Sequence, residues 1–394
     1  MNRFNLLTGA RRRAFTIVEL LAATAVFIGL MLLLVTATGQ TGEMWRRSSS
    51  KIEQFQQARR AFESMTRRIS QATLNTYWDY SYPPGKDGKP DRSLVPIGYL
   101  RQSELRFRTG AMEVLYGKGD GIPRPTHAIF FQAPLGLTEP EDSKKSLSNP
   151  HKQLSNLLNT WGYFLEVNDD TAVIPPFLKS IIPPRTRSRM MELMEPSETV
   201  SLDNPSKPAD GNADPNWNRP WEGWYVEPIK RRDDRLRVLA ENVVALVVLP
   251  RLAPQDEARR LATNKNARPL CPLYDYDSKR LNNESKDPDL VAPDPEINPK
   301  NQMPPVITVA MVVIDETSAQ RLAAITGNSR ELDLGLDKLF KDSSLLSDNP
   351  KTSASGDGDL ATLENTLITK RLNYRIFNSN VLVRGAKWSR SQSK

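Results

Sequence analysis

The apolar residues of this chain form one continuous run near its start and many short segments after it. The run covers residues 15–35 and contains a single charged residue, Glu19. A helix of about 21 residues, at about 1.5 Å per residue, measures about 31 Å, which matches the hydrocarbon thickness of a bilayer. The run therefore predicts a transmembrane segment over residues 15–35.

After this run, apolar side chains recur at spacings of three and four, which places them on one face of a helix. This stripe consists of Ile52, Phe55, Ala58, Phe62, Met65, Ile69 and Ala72. Gly39 and Gly42 interrupt the better helix formers, because each glycine costs about 1 kcal/mol relative to alanine. We predict one long helix from about Phe15 to about Leu74, softened between the two glycines, whose second half, residues 36–75, packs its stripe on a sheet.

Residues 76–394 alternate short apolar segments with polar, proline-rich connections, a pattern typical of an antiparallel sheet with long loops. Strands are predicted at residues 103–108, 128–132, 162–167, 238–249, 303–315, 373–377 and 381–384. Helical spacing occurs at residues 189–194, 316–326, 330–340 and 359–371. We interpret residues 169–234 and 251–302 as insertions. The predicted fold class is α+β, with the long helix packed on an antiparallel sheet.

Four aromatic residues lie close together in the first insertion: Trp217, Trp221, Trp224 and Tyr225. Two interpretations are open for them. They form an exposed aromatic platform for a sugar or a partner, or they form a small apolar cluster of the insertion itself. The second interpretation is favoured.

The formal charge of the chain, +8, does not indicate a nucleic-acid-binding protein. Four of the 54 basic residues are the arginines of the leader, Arg3, Arg11, Arg12 and Arg13, so 50 basic residues face 46 acidic ones in the rest of the chain. That balance is too dilute for a nucleic-acid interface. By the positive-inside tendency, the same arginines hold the leader in the cytoplasm and send the body across the membrane.

The boundary between leader and apolar run carries a specific motif. Residues 1–14 are basic and end in a small residue directly before the apolar run, whereas a secretory signal peptide is cut after its apolar region. The segment Ala14-Phe15-Thr16-Ile17-Val18-Glu19-Leu20-Leu21 resembles the cleavage and methylation motif of the type IV pilin superfamily. The resemblance implies that a prepilin peptidase cuts between Ala14 and Phe15 and methylates the new amine of Phe15. The family usually has glycine where this chain has Ala14, which allows slower processing.

The same resemblance gives Glu19 a role in assembly, in which its carboxylate meets the terminal amine of a neighbouring subunit. An acidic side chain in lipid costs about 2.5 to 3.5 kcal/mol, so an intramembrane carboxylate is a functional hypothesis by default. Pairing it with an ammonium group favours lateral association in one axial register. The alternative is an uncleaved signal anchor whose Glu19 snorkels to the interface or is protonated.

The strands at residues 238–249 and 303–315, and the ending at 373–384, resemble the body of minor pseudopilins of the J-type and PilW-like group. The large proline-rich body is also similar to the Verru_Chthon cassette protein C family. These resemblances imply a minor subunit of a type II secretion-like or type IV pilus-like filament. Its expected partners are prepilin peptidase, other pilins and inner-membrane lipid, with the body in the periplasm.

Candidate chemistry in the body is sparse, and we predict neither an enzyme nor a cofactor. His127 and His151 lack neighbours at metal-ligand spacing. Cys271 is expected to be a buried small apolar residue, with an intermolecular disulfide as the alternative. The acidic residues Asp275, Asp277, Asp287, Asp289, Asp294 and Glu296 are expected to be solvated charges, with a calcium site as the alternative.

Two rival functions remain. The chain is a membrane-anchored adhesin or DNA-uptake subunit that binds polyanions through basic loops, or it is an anchored enzyme of unknown chemistry. The basic loops contain Arg185, Arg187 and Arg189, and Lys230, Arg231 and Arg232. A polyanion site would show a steep salt dependence of binding. The enzyme interpretation lacks any catalytic constellation in the sequence.

Overall fold

The computed structural model describes residues 16–86, 90–117, 120–138, 154, 156–169, 175–178, 181, 186–199, 223–232, 234–264, 269–279, 299–326, 332–346 and 358–388. Helix α1 covers Ile17–Ile69. The chain divides into two compact units, residues 1–54 and 55–394. We describe each unit by itself.

In the first unit, helix α1 is the one helix of the described residues that is long and apolar enough to cross a membrane. Its most apolar 18-residue window has a mean hydropathy of 2.5, and none of that window is buried. The helix continues through Gly39 and Gly42, where softening was predicted. The hydroxyl groups of Thr38 and Thr41 donate hydrogen bonds to carbonyls one turn earlier, so these polar groups are satisfied inside the helix.

In the second unit, the apolar stripe of α1 is buried from Ala58 onward, as predicted, and Phe55 is half-buried. Ile52, in the first unit, was predicted to belong to the buried stripe but is 56% exposed. Ala58, Phe62, Met65 and Ile69 have exposed fractions between 0% and 7%. The helix ends at Ile69 and not at Leu74. After one further turn, the backbone N–H of Thr73 donates to the carbonyl of Gln132, because the chain there already pairs with the sheet.

The strands of the described residues form three antiparallel sheets. Strands β1 (Tyr77–Ser81) and β2 (Gly98–Gln102) make a two-stranded sheet. The six-stranded sheet contains β3 (Arg108–Ala111), β4 (His127–Pro134), β5 (Leu158–Asp169), β6 (Thr186–Glu195), β7 (Leu236–Glu241) and β9 (Tyr276–Asp277), in the order β7-β6-β5-β4-β3-β9. The three-stranded sheet contains β8 (Val243–Arg251), β10 (Val306–Ile314) and β11 (Tyr374–Leu382), in the order β11-β10-β8.

In the part of the chain that the structure describes, five further α-helices lie between these strands: α2 (Met112–Tyr116), α3 (Gly223–Arg231), α4 (Pro254–Thr263), α5 (Glu316–Thr326) and α6 (Asp359–Thr369). The α+β class is therefore confirmed. The strands predicted at 128–132, 162–167 and 303–315 and the helices predicted at 316–326 and 359–371 are confirmed as β4, β5, β10, α5 and α6. The two predicted final strands are one continuous strand, β11.

The strand predicted at residues 103–108 is wrong except for its last residue, where β3 begins. The backbone N–H groups of Arg106 and Phe107 donate to the side chains of Gln132 and Ser278, at 3.0 and 2.9 Å. These side chains take the place of a neighbouring strand. Alternating polarity alone does not reveal such partners.

The apolar run at residues 238–249 is two strands in two different sheets. Asn242 divides the run because its backbone has a φ of 59°, a left-handed conformation that asparagine tolerates better than β-branched residues do. Strand β7 ends before it and β8 begins after it. One apolar run therefore connects the six-stranded sheet to the three-stranded sheet.

Two predicted helices are wrong. Residues 189–194 belong to strand β6, in which Met190 and Met194 join the main core while Met191 and Leu193 join a second core. Both faces of this strand are covered, so its apolar positions do not alternate with polar ones. Residues 332–340 form turns, with the left-handed backbone of Gly335 among them.

The main core lies between α1 and the two larger sheets, and the second core covers the other face of the six-stranded sheet. In the second core, the rings of Tyr225 and Phe130 stack with centroids 4.2 Å apart, and Trp224 meets both. Trp224 and Tyr225 thus form an apolar cluster, as favoured, but they pack on the sheet. Trp217 and Trp221 lie outside the described residues.

Candidate functional site

The first turn of α1 carries the carboxylate that the sequence singles out. The backbone N–H and the hydroxyl of Thr16 both donate to Oε2 of Glu19, each at 3.1 Å, and the backbone N–H of Glu19 donates to the hydroxyl of Thr16 at 3.3 Å. This reciprocal arrangement is a capping box, which satisfies N–H groups that have no partner at the start of a helix. Ala14 and Phe15, the predicted processing residues, lie outside the described residues.

This cap was not predicted, although the spacing Thr-x-x-Glu signals it. The cap gives Glu19 a structural task beside any role in assembly, and it fixes the carboxylate at the start of the apolar helix. Both bonds from Thr16 go to the same oxygen, Oε2. The carboxylate is also favoured at this end of the helix by the helix dipole, and its turn is exposed.

The last turn of α1 is held on the sheet by Arg68. Its guanidinium group pairs with Glu192, lies 3.2 Å from the hydroxyl of Tyr163, and stacks on the ring of Trp161 at 4.5 Å. Glu192 also accepts hydrogen bonds from Trp161 and Tyr163, both at 3.0 Å. Burial is the main cause that raises the pKa of Tyr163 well above its usual range. This cluster fixes the end of the helix on strands β5 and β6.

The predicted solvated acids Asp275 and Asp277 are in ion pairs. Asp277 accepts from Nε and Nη2 of Arg106 at 3.0 and 2.5 Å and lies 3.9 Å from Arg108, while Asp275 pairs with Arg108. Burial would raise the pKa of Asp277, but the hydrogen bonds and charge of Arg106 and the charge of Arg108 hold it below its usual value. The expectation of solvated charge is therefore wrong for Asp277, which is 5% exposed.

A calcium site gains no support from the described part of the chain. No group of three or more histidine, cysteine, aspartate or glutamate residues there is placed to hold a metal ion. Asp287, Asp289, Asp294 and Glu296 lie outside the described residues.

The basic residues of the polyanion hypothesis bind carboxylates of their own chain. Arg187 pairs with Glu316, and Arg189 lies 3.6 Å from Glu241. The basic residues at the end of α3 are likewise paired with Glu227, Glu195 and Glu166, at 3.7, 2.6 and 3.0 Å for Lys230, Arg231 and Arg232. Arg185 lies outside the described residues.

His127 borders a cleft of about 530 Å³ between β4 and residues 332–341. Its Nδ1 accepts from the backbone N–H of Val248 at 3.3 Å, and its Nε2 lies 3.1 Å from the carbonyl of Phe340. Burial lowers its pKa to about 4, against the smaller effect of the bond to Phe340. Both ring nitrogens are occupied, so His127 is a structural residue. His151 lies outside the described residues.

His127 makes the stability of the body dependent on pH. In the unfolded chain the histidine has a pKa near 6.5 and is protonated below that pH, whereas in the folded protein it stays neutral down to about pH 4. The free energy of unfolding therefore falls as the pH drops from about 6.5 to about 4. Between pH 8 and pH 5 we expect a loss of about 2 kcal/mol. Thermal unfolding of the wild type and of His127→Gln at both pH values measures it: the variant should lose less than the wild type, and equal losses would contradict the assignment.

Cys271 is buried, as predicted. It is 1% exposed, and burial raises the pKa of its thiol well above the usual value. A thiol that stays protonated is a poor nucleophile and a poor metal ligand. Cys271 is thus part of the main core and offers no reactive site.

In comparisons with known proteins, no family model, no curated protein and no solved structure matches this chain. The residues themselves therefore carry the functional argument.

Proposed function

We propose that this chain is a non-enzymatic minor pilin or pseudopilin that enters a type II secretion-like or type IV pilus-like filament through its N-terminal helix. The observation that carries the proposal is the apolar half of α1, which bears one carboxylate, Glu19, in its first turn. Residues 14–21 supply the matching processing motif. In this proposal, cleavage by prepilin peptidase makes Phe15 the first residue and Glu19 the fifth.

The physical reason is the cost of charge in lipid. Once Phe15 is the first residue, its amine and the Glu19 carboxylate are two charges at one end of an apolar helix. Each is unfavourable alone in hydrocarbon, and a pair between neighbouring subunits neutralises both. The apolar environment thereby selects the axial offset at which the amine of one subunit reaches the carboxylate of the next.

The body supports a subunit role in a different way. The second half of α1 is fixed on the sheets by a buried stripe and by the Arg68–Glu192 pair. A force that a filament machine exerts on this part of the helix is therefore transmitted to the folded body. We assign the chain to the J-type and PilW-like group of minor subunits, with the Verru_Chthon cassette protein C family as a narrower assignment. Its place before assembly is the inner membrane, with the body in the periplasm.

The experiment is the determination of the mature amino terminus. The full chain is produced in cells with and without a prepilin peptidase, purified from membranes, and analysed by intact mass and amino-terminal sequencing. We expect a chain that begins at N-methylated Phe15 only where the peptidase is present. The Ala14→Gly variant should be processed at least as fast. A chain that begins at Met1 in both cell types, or one cut after Val35, would contradict the proposal.

A further inference from the structure

Strands β1 and β2 expose a row of aromatic rings on one face. Tyr80 lies opposite Tyr99, and Trp78 lies opposite Arg101. Trp78, Tyr80 and Tyr99 are 57%, 52% and 66% exposed, although residues of this kind are usually buried in part by their own chain. The ring centroids of Tyr80 and Tyr99 are 5.3 Å apart, and Tyr82 continues the row 6.4 Å from Tyr80. We call this set the aromatic face.

A contiguous exposed apolar patch of this kind marks a binding surface. At two positions, one on each strand, the edge of this sheet is not free to pair with a further strand. The backbone N–H of Tyr80 donates to its neighbour Asp79 at 2.8 Å, and the carbonyl of Arg101 accepts from Asn301 at 2.8 Å. Because this N–H group and this carbonyl already have hydrogen-bond partners, the edge is less suited to strand pairing, and the exposed face is the better binding surface.

At Arg101 the aromatic face meets a cleft of about 220 Å³. Its lining combines two cations, Arg101 and Lys387, with amide side chains such as those of Asn301 and Gln302, and none of its ten lining residues is acidic. Gln302 is 1% exposed and Asn301 4% exposed, so the amides belong to a rigid wall.

Arg101 connects the cleft to the rings. Its guanidinium group lies 5.4 Å from the ring centre of Trp78, and its Nη1 donates to Gln302 Oε1 at 3.1 Å and to the carbonyl of Lys387 at 2.6 Å. These protein partners are uncharged, and no carboxylate of the described residues pairs with Arg101. A positive charge held in place without a counter-ion is complementary to an anionic group of a ligand.

We propose that the aromatic face and the adjoining cleft bind an acidic carbohydrate chain. Sugar rings lie with their C–H faces on Trp78, Tyr80 and Tyr99, and a carboxylate of the chain reaches Arg101 and Lys387 in the cleft. Planar exposed rings suit the flat face of a pyranose, the buried amides hold Arg101 in place, and the two cations select an anionic sugar. No covalent step is involved.

The test is isothermal titration calorimetry of the full chain in a zwitterionic detergent without a sugar headgroup. The probes are hexagalacturonate, which carries a carboxylate on each sugar, and cellohexaose, which is neutral. We expect hexagalacturonate to bind with a Kd below about 1 mM, at least about tenfold tighter than cellohexaose, and more weakly as salt rises.

Variants assign the binding to this site. Trp78→Ala and Lys387→Gln should each weaken hexagalacturonate binding about tenfold, which corresponds to about 1.4 kcal/mol. Tyr77→Ala is the matched control, because Tyr77 is a neighbouring exposed aromatic residue on the opposite face of β1. It should leave binding unchanged, and circular dichroism should show that all three variants are folded.

Three results would overturn the proposal: no binding of either oligosaccharide, equal binding of the neutral one, or equal weakening by Trp78→Ala and Tyr77→Ala. Capture of a sister subunit that requires Trp78, without sugar binding, would also overturn it and assign the face to protein docking. All these outcomes are independent of processing at Phe15, so the proposed filament role and the sugar site fail separately.

Discussion

Glu19→Ala is expected to remove the chain from filaments while leaving its amount in the membrane unchanged. In the proposed filament, the amine of the neighbouring subunit would then have no partner in lipid, a loss of about 3 kcal/mol or about a hundredfold in the assembly equilibrium. The measurement compares the chain in sheared filaments with the chain in the membrane fraction, in cells that contain the processing enzyme and the filament machinery. Undiminished incorporation would contradict the mechanism.

The capping box requires a second variant, because alanine removes the cap as well as the charge. Glu19→Gln keeps an acceptor for the N–H and hydroxyl of Thr16, since glutamine serves at this position of a capping box. It removes only the negative charge. If charge pairing drives assembly, Glu19→Gln should fail as Glu19→Ala does; normal assembly of Glu19→Gln would assign the residue to capping.

Glu53→Ala is the matched control for both variants. Glu53 is an exposed acidic residue of the same helix that lies outside the apolar run. Its removal should leave both membrane level and filament incorporation unchanged. A defect of the same size would show that any loss of negative charge from α1 impairs assembly.

The sequence predicts the elements whose residues repeat one simple pattern. The stripe from Phe55 to Ile69 has the period of a helix. The run of β10 is short, rich in β-branched residues and preceded by prolines, as a buried strand is, so the type of both elements could be predicted. The apolar half of α1 is equally distinctive. Its length and its single charged residue are typical of a transmembrane helix and of few other elements.

Elements that depend on distant partners could not be predicted in this way. Strand β6 carries Met190 and Met191 into two different cores, so its pattern lacks the alternation of a half-buried strand. The division of the run at Asn242 rests on one left-handed residue between two good strand formers. Such details depend on which parts of the protein pack against a segment, and the residues of the segment alone do not determine these partners.

The same limit applies to the candidate sites. Glu19 could be found from the sequence, because a lone acid in an apolar run is conspicuous. The aromatic face could not, because exposure of Trp78 and Tyr99 follows from pairing between β1 and β2 and from the absence of a covering element in the described residues. The aromatic residues that did attract attention, Trp224 and Tyr225, are buried.

Asp277→Asn is expected to destabilise the body by about 3 to 5 kcal/mol, which lowers the midpoint of thermal unfolding by about 10 °C. The change keeps the size of the side chain but removes the charge that faces Arg106 and Arg108, whose side chains are 10% and 2% exposed. Arg108 would keep its pair with Asp275, which is 34% exposed, but the two hydrogen bonds from Arg106 would no longer end on a charged group. Far-UV circular dichroism of the full chain in detergent measures the midpoint.

Asp333→Asn provides the control, because Asp333 is also in an ion pair, 2.6 Å from Lys370, but is 63% exposed. Water solvates both partners there, so the loss should stay within about 1 kcal/mol. Millimolar calcium should leave the midpoint of the wild type unchanged, since arginines already neutralise Asp277. Equal effects of the two substitutions would mean that burial adds nothing to the Asp277 pair, and a rise with calcium would show that the acids bind metal in preference to arginine.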